Sequence, residues 1–270
     1  MQHIFKHLVT SGCSFSARSC HLWPHWLSIN MSIQGDHQYG LASAGNAWAA
    51  KSIIHGIQRL LDSGTDPSEI LASVMWSGID RTDVFISSDE TLNYSTLLSG
   101  SSANPVNYID ETDSWETNNI DGYLMGTMGC DFKNHHINLF KRNLVTNFLS
   151  DQALAIQSYE NFLRVQWYCE SHQVKLVNHT YMDILHYPTY SYQKPHAWPN
   201  VLSKDTYSRN IGPLYNMIDF SNWIFWNKTG GMYEYARDNK LSFELDGMHP
   251  TSESHQHYVV NHLIPAISKL

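Results

Sequence analysis

Two short blocks, near opposite ends of the chain, hold residue types whose spacing could do chemistry. One is Gly12-Cys13-Ser14-Phe15-Ser16; the other is Asp246-Gly247-Met248-His249-Pro250. A serine hydroxyl is a weak nucleophile until a neighbouring base takes its proton, and it must stand exposed on a sharp turn. A preceding glycine makes such a turn accessible. Ser14, two residues after Gly12, is the preferred nucleophile, with Ser11 and Ser16 as competing hydroxyls. An aspartate three residues before a histidine, with a glycine between, can bend back to accept the imidazole Nδ1–H. That fixes the tautomer and leaves Nε2 as the base. Taken singly, each block also reads as an ordinary turn, because short motifs match by chance.

The elements that would position these residues alternate between strand and helix. Phe5 to Thr10 is apolar and rich in strand formers, and Ser11-Gly12 ends it. A short helix is expected from Cys20 to Ile29 and a short strand from Gln38 to Ala42. Apolar residues at helical spacing, Ala49 through Leu61, predict an amphipathic helix over 47–62 with Asn46 as its N-cap. Ile70 to Trp76 is an almost continuous apolar run, as in a strand buried on both faces. A long helical stretch from Ile137 to about Ser171, broken near Asp151, leads to a strand at Val174–Asn178. A closing helix from Thr251 to Ser268 is expected to bend at Pro265. This alternation predicts an α/β chain with a mainly parallel sheet, whose sites lie at the carboxyl ends of the strands. The whole chain, 1–270, reads as one domain with polar or aromatic insertions at about 88–135 and 187–240.

The order of the blocks resembles the SGNH/GDSL hydrolase family. After the Ser block come Gly40-Leu41-Ala42-Ser43-Ala44-Gly45-Asn46, then Trp76-Ser77-Gly78-Ile79-Asp80-Arg81, then the terminal Asp-x-x-His block. Trp23-Pro24-His25-Trp26-Leu27 is similar to a segment that follows the Ser block in divergent members. The resemblance implies a flavodoxin-like, three-layer α/β/α sandwich and ester hydrolysis through an acyl-enzyme. It implies Ser14 as nucleophile and, through its N–H, as oxyanion donor, with Gly45 giving a second N–H. Asp246 would orient His249, and His249 would act as base and then acid. Gly45 also precedes the predicted helix, whose free N–H groups favour an anion. Two departures stand out. Cys13 replaces the family's Asp, and Asp80 stands where the family carries its oxyanion Asn. A carboxylate there opposes a developing oxyanion. Three readings of Asp80 follow: it is protonated, it turns away to pair with Arg81, or Arg81 itself takes the donor role. Arg81 and Asn46 are therefore candidate support or substrate residues. Small acyl esters, carbohydrate O-acetyl groups first, are the implied substrates. Acyl transfer to a sugar would use the same triad, and a catalytically silent, carbohydrate-binding or structural member of the fold is the rival from another class.

Composition narrows the partners. With 17 basic against 25 acidic residues the formal charge is −8, and no basic block is present, which disfavours nucleic acid. No run of about 18 apolar residues is present, so no membrane span is expected. Cysteines at 13, 20, 130 and 169 form no CxxC pair and read as free thiols. No apolar leader precedes the Ser block, so the expected location is cytoplasmic. Asn178-His179-Thr180 and Asn227-Lys228-Thr229 would be glycosylation sequons only in a secreted chain, and nothing in the sequence suggests secretion. Sixteen histidines raise the question of a metal. The pairs His135-His136, His21/His25 and His255/His257 do not supply three or four convergent ligands, so neither metal nor cofactor is expected.

Overall fold

The computed structural model describes residues 5–17, 21–41, 44–79, 81–86, 122–126, 151–185 and 212–270. Asp80, Ile137 to Ser150, most of the segment at 88–135 and the first part of that at 187–240 lie outside the described residues. The architecture is α/β. Among the described residues a five-stranded sheet has the order Gly35–Gln38 (β2), His7–Gly12 (β1), Ile70–Trp76 (β3), Lys175–Thr180 (β6) and Trp223–Ile224 (β7), and every neighbouring pair is parallel.

Strand β1 is His7–Gly12 and sits between β2, Gly35–Gln38, and β3, Ile70–Trp76. Helix α1, Trp23–Asn30, starts with Pro24 in its first turn, where a missing N–H costs nothing. Helix α2, Asn46–Asp62, follows β2, and its predicted apolar stripe is the buried one: Ala49, Ala50, Ile53, Ile57 and Leu60. Strand β3 is buried at all seven positions, as its continuous apolar run requires. A separate antiparallel pair, β4 at Thr82–Ile86 and β5 at Gly122–Gly126, stands outside the main sheet. Helix α3, Asp151–His172, leads into β6, Lys175–Thr180.

Helices cover both faces of the sheet. Ser11 of β1 bonds to Ser52 of α2, and Trp76 of β3 packs on Phe162 of α3. On the opposite face His179 of β6 meets Trp23 of α1 edge-on at 4.4 Å and contacts the Tyr258 hydroxyl at 3.2 Å. Strand alternation sorts these partners, since His179 and Asn178 point to opposite faces and Asn178 accepts from Trp76.

Four elements differ from expectation. Strand β2 ends at Gln38, where the sequence suggested that a strand would begin. It is an edge strand, where polar Asp36 and His37 are tolerated and leave no apolar pattern to read. Residues 212–240 are part of the fold itself. They form α4, Gly212–Met217, then β7, Trp223–Ile224, which extends the sheet beside β6, then α5, Met232–Asp238. Asn46 is the first residue of α2 and Gly45 its N-cap. The closing segment is α6, Ser252–Tyr258, a π-helical turn at Val259–Leu263, and α7, Ile264–Ile267. Pro265 has no N–H for the carbonyl four residues back and would crowd it. The wider π turn just before Pro265 absorbs that conflict.

Candidate active site

The chain leaves β1 through Gly12 at φ +151°, where an added Cβ would lie 2.5 Å from the Met75 carbonyl of β3. Only glycine fits this conformation and this approach. A single 3-10 turn, Ser14–Ser16, follows and is closed by Ser16 N–H donating to the Cys13 carbonyl at 2.8 Å. This turn separates the three serines by role. Ser16 is wholly buried, and its hydroxyl accepts from the Trp23 indole at 2.9 Å. Ser11 is wholly buried against Ser52 at 2.7 Å. Ser14 alone of the three is partly exposed, and its Oγ lies 2.8 Å from His249 Nε2.

His249 comes from the loop before α6, which is locally self-closed. Gly247 at φ +68° allows the reversal. Glu244 N–H donates to the His249 carbonyl at 2.7 Å, and Phe243 and Pro250 form a bridge. Within the loop Asp246 Oδ1 accepts from the backbone N–H of Met248 at 2.8 Å and of His249 at 2.9 Å, while Oδ2 accepts from His249 Nδ1 at 2.5 Å. Desolvation pushes the Asp246 carboxyl up, but the two backbone N–H groups and the imidazole outweigh it and hold it at about 2. The aspartate is therefore a carboxylate at neutral pH, and it directs the imidazole proton to Nδ1. Nε2 is left to accept the Ser14 proton, which is the arrangement of an activated serine.

Residues that the sequence reading passed over complete the surroundings. The Phe15 ring packs on the His249 imidazole at 5.0 Å and meets Tyr181 edge-on at 5.3 Å. Beneath them His255 is buried, and its Nδ1 accepts from the Trp23 backbone N–H at 3.2 Å. No spacing rule links Phe15, Tyr181 and His255. The one legible signal was Phe15 itself, a large apolar residue beside the candidate nucleophile Ser14.

The expected oxyanion residues are placed as follows. Gly45 N–H donates to Asp83 Oδ1 at 2.8 Å, and Trp48 N–H donates to Asp83 Oδ2 at 2.7 Å. The N-terminus of α2 thus holds a carboxylate from β4. Burial pushes the Asp83 carboxyl up, against the lowering effects of the Trp48 and Gly45 N–H groups and the Arg81 charge. Asn46 is buried and serves the backbone: its amide accepts from Ser77 N–H at 2.8 Å and donates to the Ser77 carbonyl at 3.1 Å. Arg81 donates to the Ala44 carbonyl at 3.3 Å, with its guanidinium 5.2 Å from the centre of the Tyr181 ring. Asp80 lies outside the described residues.

Among the described residues no three His, Cys, Asp or Glu side chains are grouped to hold a metal ion, and Cys13 and Cys169 are buried free thiols. Among them, too, no helix is long and apolar enough to cross a membrane. Compared with protein-family models, with curated proteins and with solved structures, the chain matches none.

Proposed function

We propose that this chain is a serine hydrolase that cleaves a small acyl ester through an acyl-enzyme on Ser14. The observation that carries the reading is the 2.8 Å contact between Ser14 Oγ and His249 Nε2, made across 235 sequence positions. Convergence of two motifs so far apart in sequence is the geometric check that a nucleophile and its base must meet. The strand order supports the finer fold reading. Counting only strands of the main sheet, it is 2-1-3-4-5, the order of doubly wound, flavodoxin-like three-layer proteins. That topology suits an SGNH/GDSL-type hydrolase.

In this mechanism Ser14 Oγ attacks the ester carbonyl carbon as its proton passes to His249 Nε2. Asp246 stabilises the imidazolium. The carbon–oxygen bond to the alcohol breaks, and His249 returns the proton to the departing oxygen. Water then repeats the sequence: it loses a proton to His249 and attacks the acyl carbon, the bond from that carbon to Ser14 Oγ breaks, and His249 returns the proton to Ser14 Oγ as the acid leaves. Carbohydrate O-acetyl esters are the substrate class to try first. The rival, a silent member of the fold, draws support from one observation: a carboxylate already holds the Gly45 N–H.

Labelling with a fluorophosphonate separates the two. The native chain should take up one phosphonyl group on Ser14. Ser14→Ala should take up none, and Ser16→Ala should retain labelling, because the Ser16 hydroxyl is buried and engaged by Trp23. Uptake lost in Ser16→Ala and kept in Ser14→Ala would move the nucleophile, and no uptake in any form would leave the silent reading standing.

A further inference from the structure

The carboxylate of Asp83 occupies a donor that the hydrolase reading needs for its oxyanion. Several observations tie this contact to the same end of the sheet as Ser14 and His249. Gly12 of β1 is in register with Met75 of β3, so the Ser14 turn and Ser77 both lie just past the carboxyl ends of adjacent strands. Asn46 clasps Ser77 at both its N–H and its carbonyl, which fixes the start of α2 at that same edge. Leu41 N–H donates to the Gly12 carbonyl at 3.0 Å, tying the segment before Gly45 to the nucleophile turn. From the other side, the Arg81 guanidinium stacks over Tyr181, Tyr181 meets Phe15, and Phe15 packs on His249.

Asp83 reaches this place from β4. That strand pairs with β5 in its own two-stranded sheet and takes no part in the five-stranded one. Its carboxylate can therefore leave without breaking a ladder of the main sheet. An ionised carboxylate and the oxyanion of a tetrahedral intermediate ask the same thing of a backbone N–H: a short, charge-assisted hydrogen bond at a helix N-terminus. Both cannot hold the Gly45 N–H at once.

We infer that Asp83 is an internal competitor of the substrate: its carboxylate occupies the Gly45 oxyanion donor at rest and must withdraw before the acyl-transfer step. The inference rests on the hydrolase reading. It also accounts for a half-buried carboxyl that serves no other catalytic purpose. Burial disfavours its charge, as the raised pKa reflects, so the N–H groups of α2 hold the carboxylate against a standing desolvation cost.

The test compares the full chain with Asp83→Asn and Asp83→Ala, using the rate of fluorophosphonate labelling of Ser14 and kcat on p-nitrophenyl acetate. Circular dichroism and a melting curve establish which variants are folded. Asparagine keeps the volume and one acceptor but removes the charge; alanine empties the donor. Both rates should rise in the order native, Asn, Ala, approaching on the order of 10²-fold in the alanine variant, the typical worth of one oxyanion donor. If the alanine variant does not fold without its helix cap, the asparagine variant decides alone. Equal or lower rates in a folded variant, with the native chain still labelled at Ser14, overturn the competitor role and leave the hydrolase reading intact. No labelling in any of the three overturns both.

Discussion

Alanine at Ser14 or at His249 should each lower kcat on an acyl ester by about 10⁶-fold, and alanine at both should lower it no further. The reason is the chain of contacts. The Ser14 hydroxyl becomes nucleophilic only as its proton moves to Nε2, 2.8 Å away. Without the imidazole the hydroxyl is inert, and without the hydroxyl the imidazole has no bond to make. Each deletion removes the same step, so the losses do not multiply. Alanine at Asp246 should cost less, about 10⁴-fold, because the base survives in the wrong orientation and tautomer. Asp246 also accepts from two backbone N–H groups, so its removal loosens the loop that carries His249. Steady-state kinetics on p-nitrophenyl acetate, with each variant shown to be folded, measures all four forms. A double variant losing the product of the two single losses would mean that Ser14 and His249 act independently, and the triad would have to be abandoned.

The parts of this site that could be read in the sequence are the parts whose geometry is local. Gly12 before Ser14 announces a backbone conformation that other residues avoid, and it takes that conformation at φ +151°. Asp246 and His249 are bound within four residues, so their spacing alone carries the geometry. The stripe of α2 and the apolar run of β3 were legible because burial imposes their periods. Asp83 was not legible. Helix caps are recognised beside the helix they cap, whereas this one arrives from 38 positions beyond Gly45. Asn46 looked like that cap, and its amide went instead to Ser77, a partner no local rule supplies. Strand β7 has two residues, too few for any period, and it joins the sheet only because β6 offers an edge. The histidines are legible only in part: composition suggests solvated or hydrogen-bonded side chains, and His179 and His255 are hydrogen-bonded yet among the most buried polar groups described.

Those two histidines set the largest expected effect on stability. Burial, followed by the neighbouring His262, pushes His179 from 6.5 down to about 3. Burial, followed by His249, does the same to His255. Both are neutral in the fold, where His255 Nδ1 must keep its lone pair to accept from Trp23 N–H. In the unfolded chain each takes up a proton near pH 6.5. Between pH 6.5 and about 3 the unfolded state therefore binds more protons than the folded one. Stability is complete above pH 6.5 and declines as pH falls toward 3, by up to about 1.4 kcal/mol per pH unit for each histidine. Lowering the pH from 6 to 5 should then cost about 2 kcal/mol, a large share of the roughly 5–15 kcal/mol that holds an ordinary domain together. The Asp246 carboxyl, held at about 2, adds its own loss only at lower pH, below its unfolded value of 3.8. Asp83 and Glu234, raised by burial, work in the opposite direction and soften the decline where they titrate. Urea midpoints at pH 7.5, 6 and 5 measure the slope. His255→Gln keeps an acceptor for Trp23 N–H but cannot take up a proton, so it should remove a substantial part of the loss between pH 6 and 5, with His179 and His262, also lowered by burial, accounting for what remains. Midpoints that stay level across this range in the native chain, or fall as steeply in His255→Gln, would show that protonation of these buried rings does not govern acid unfolding.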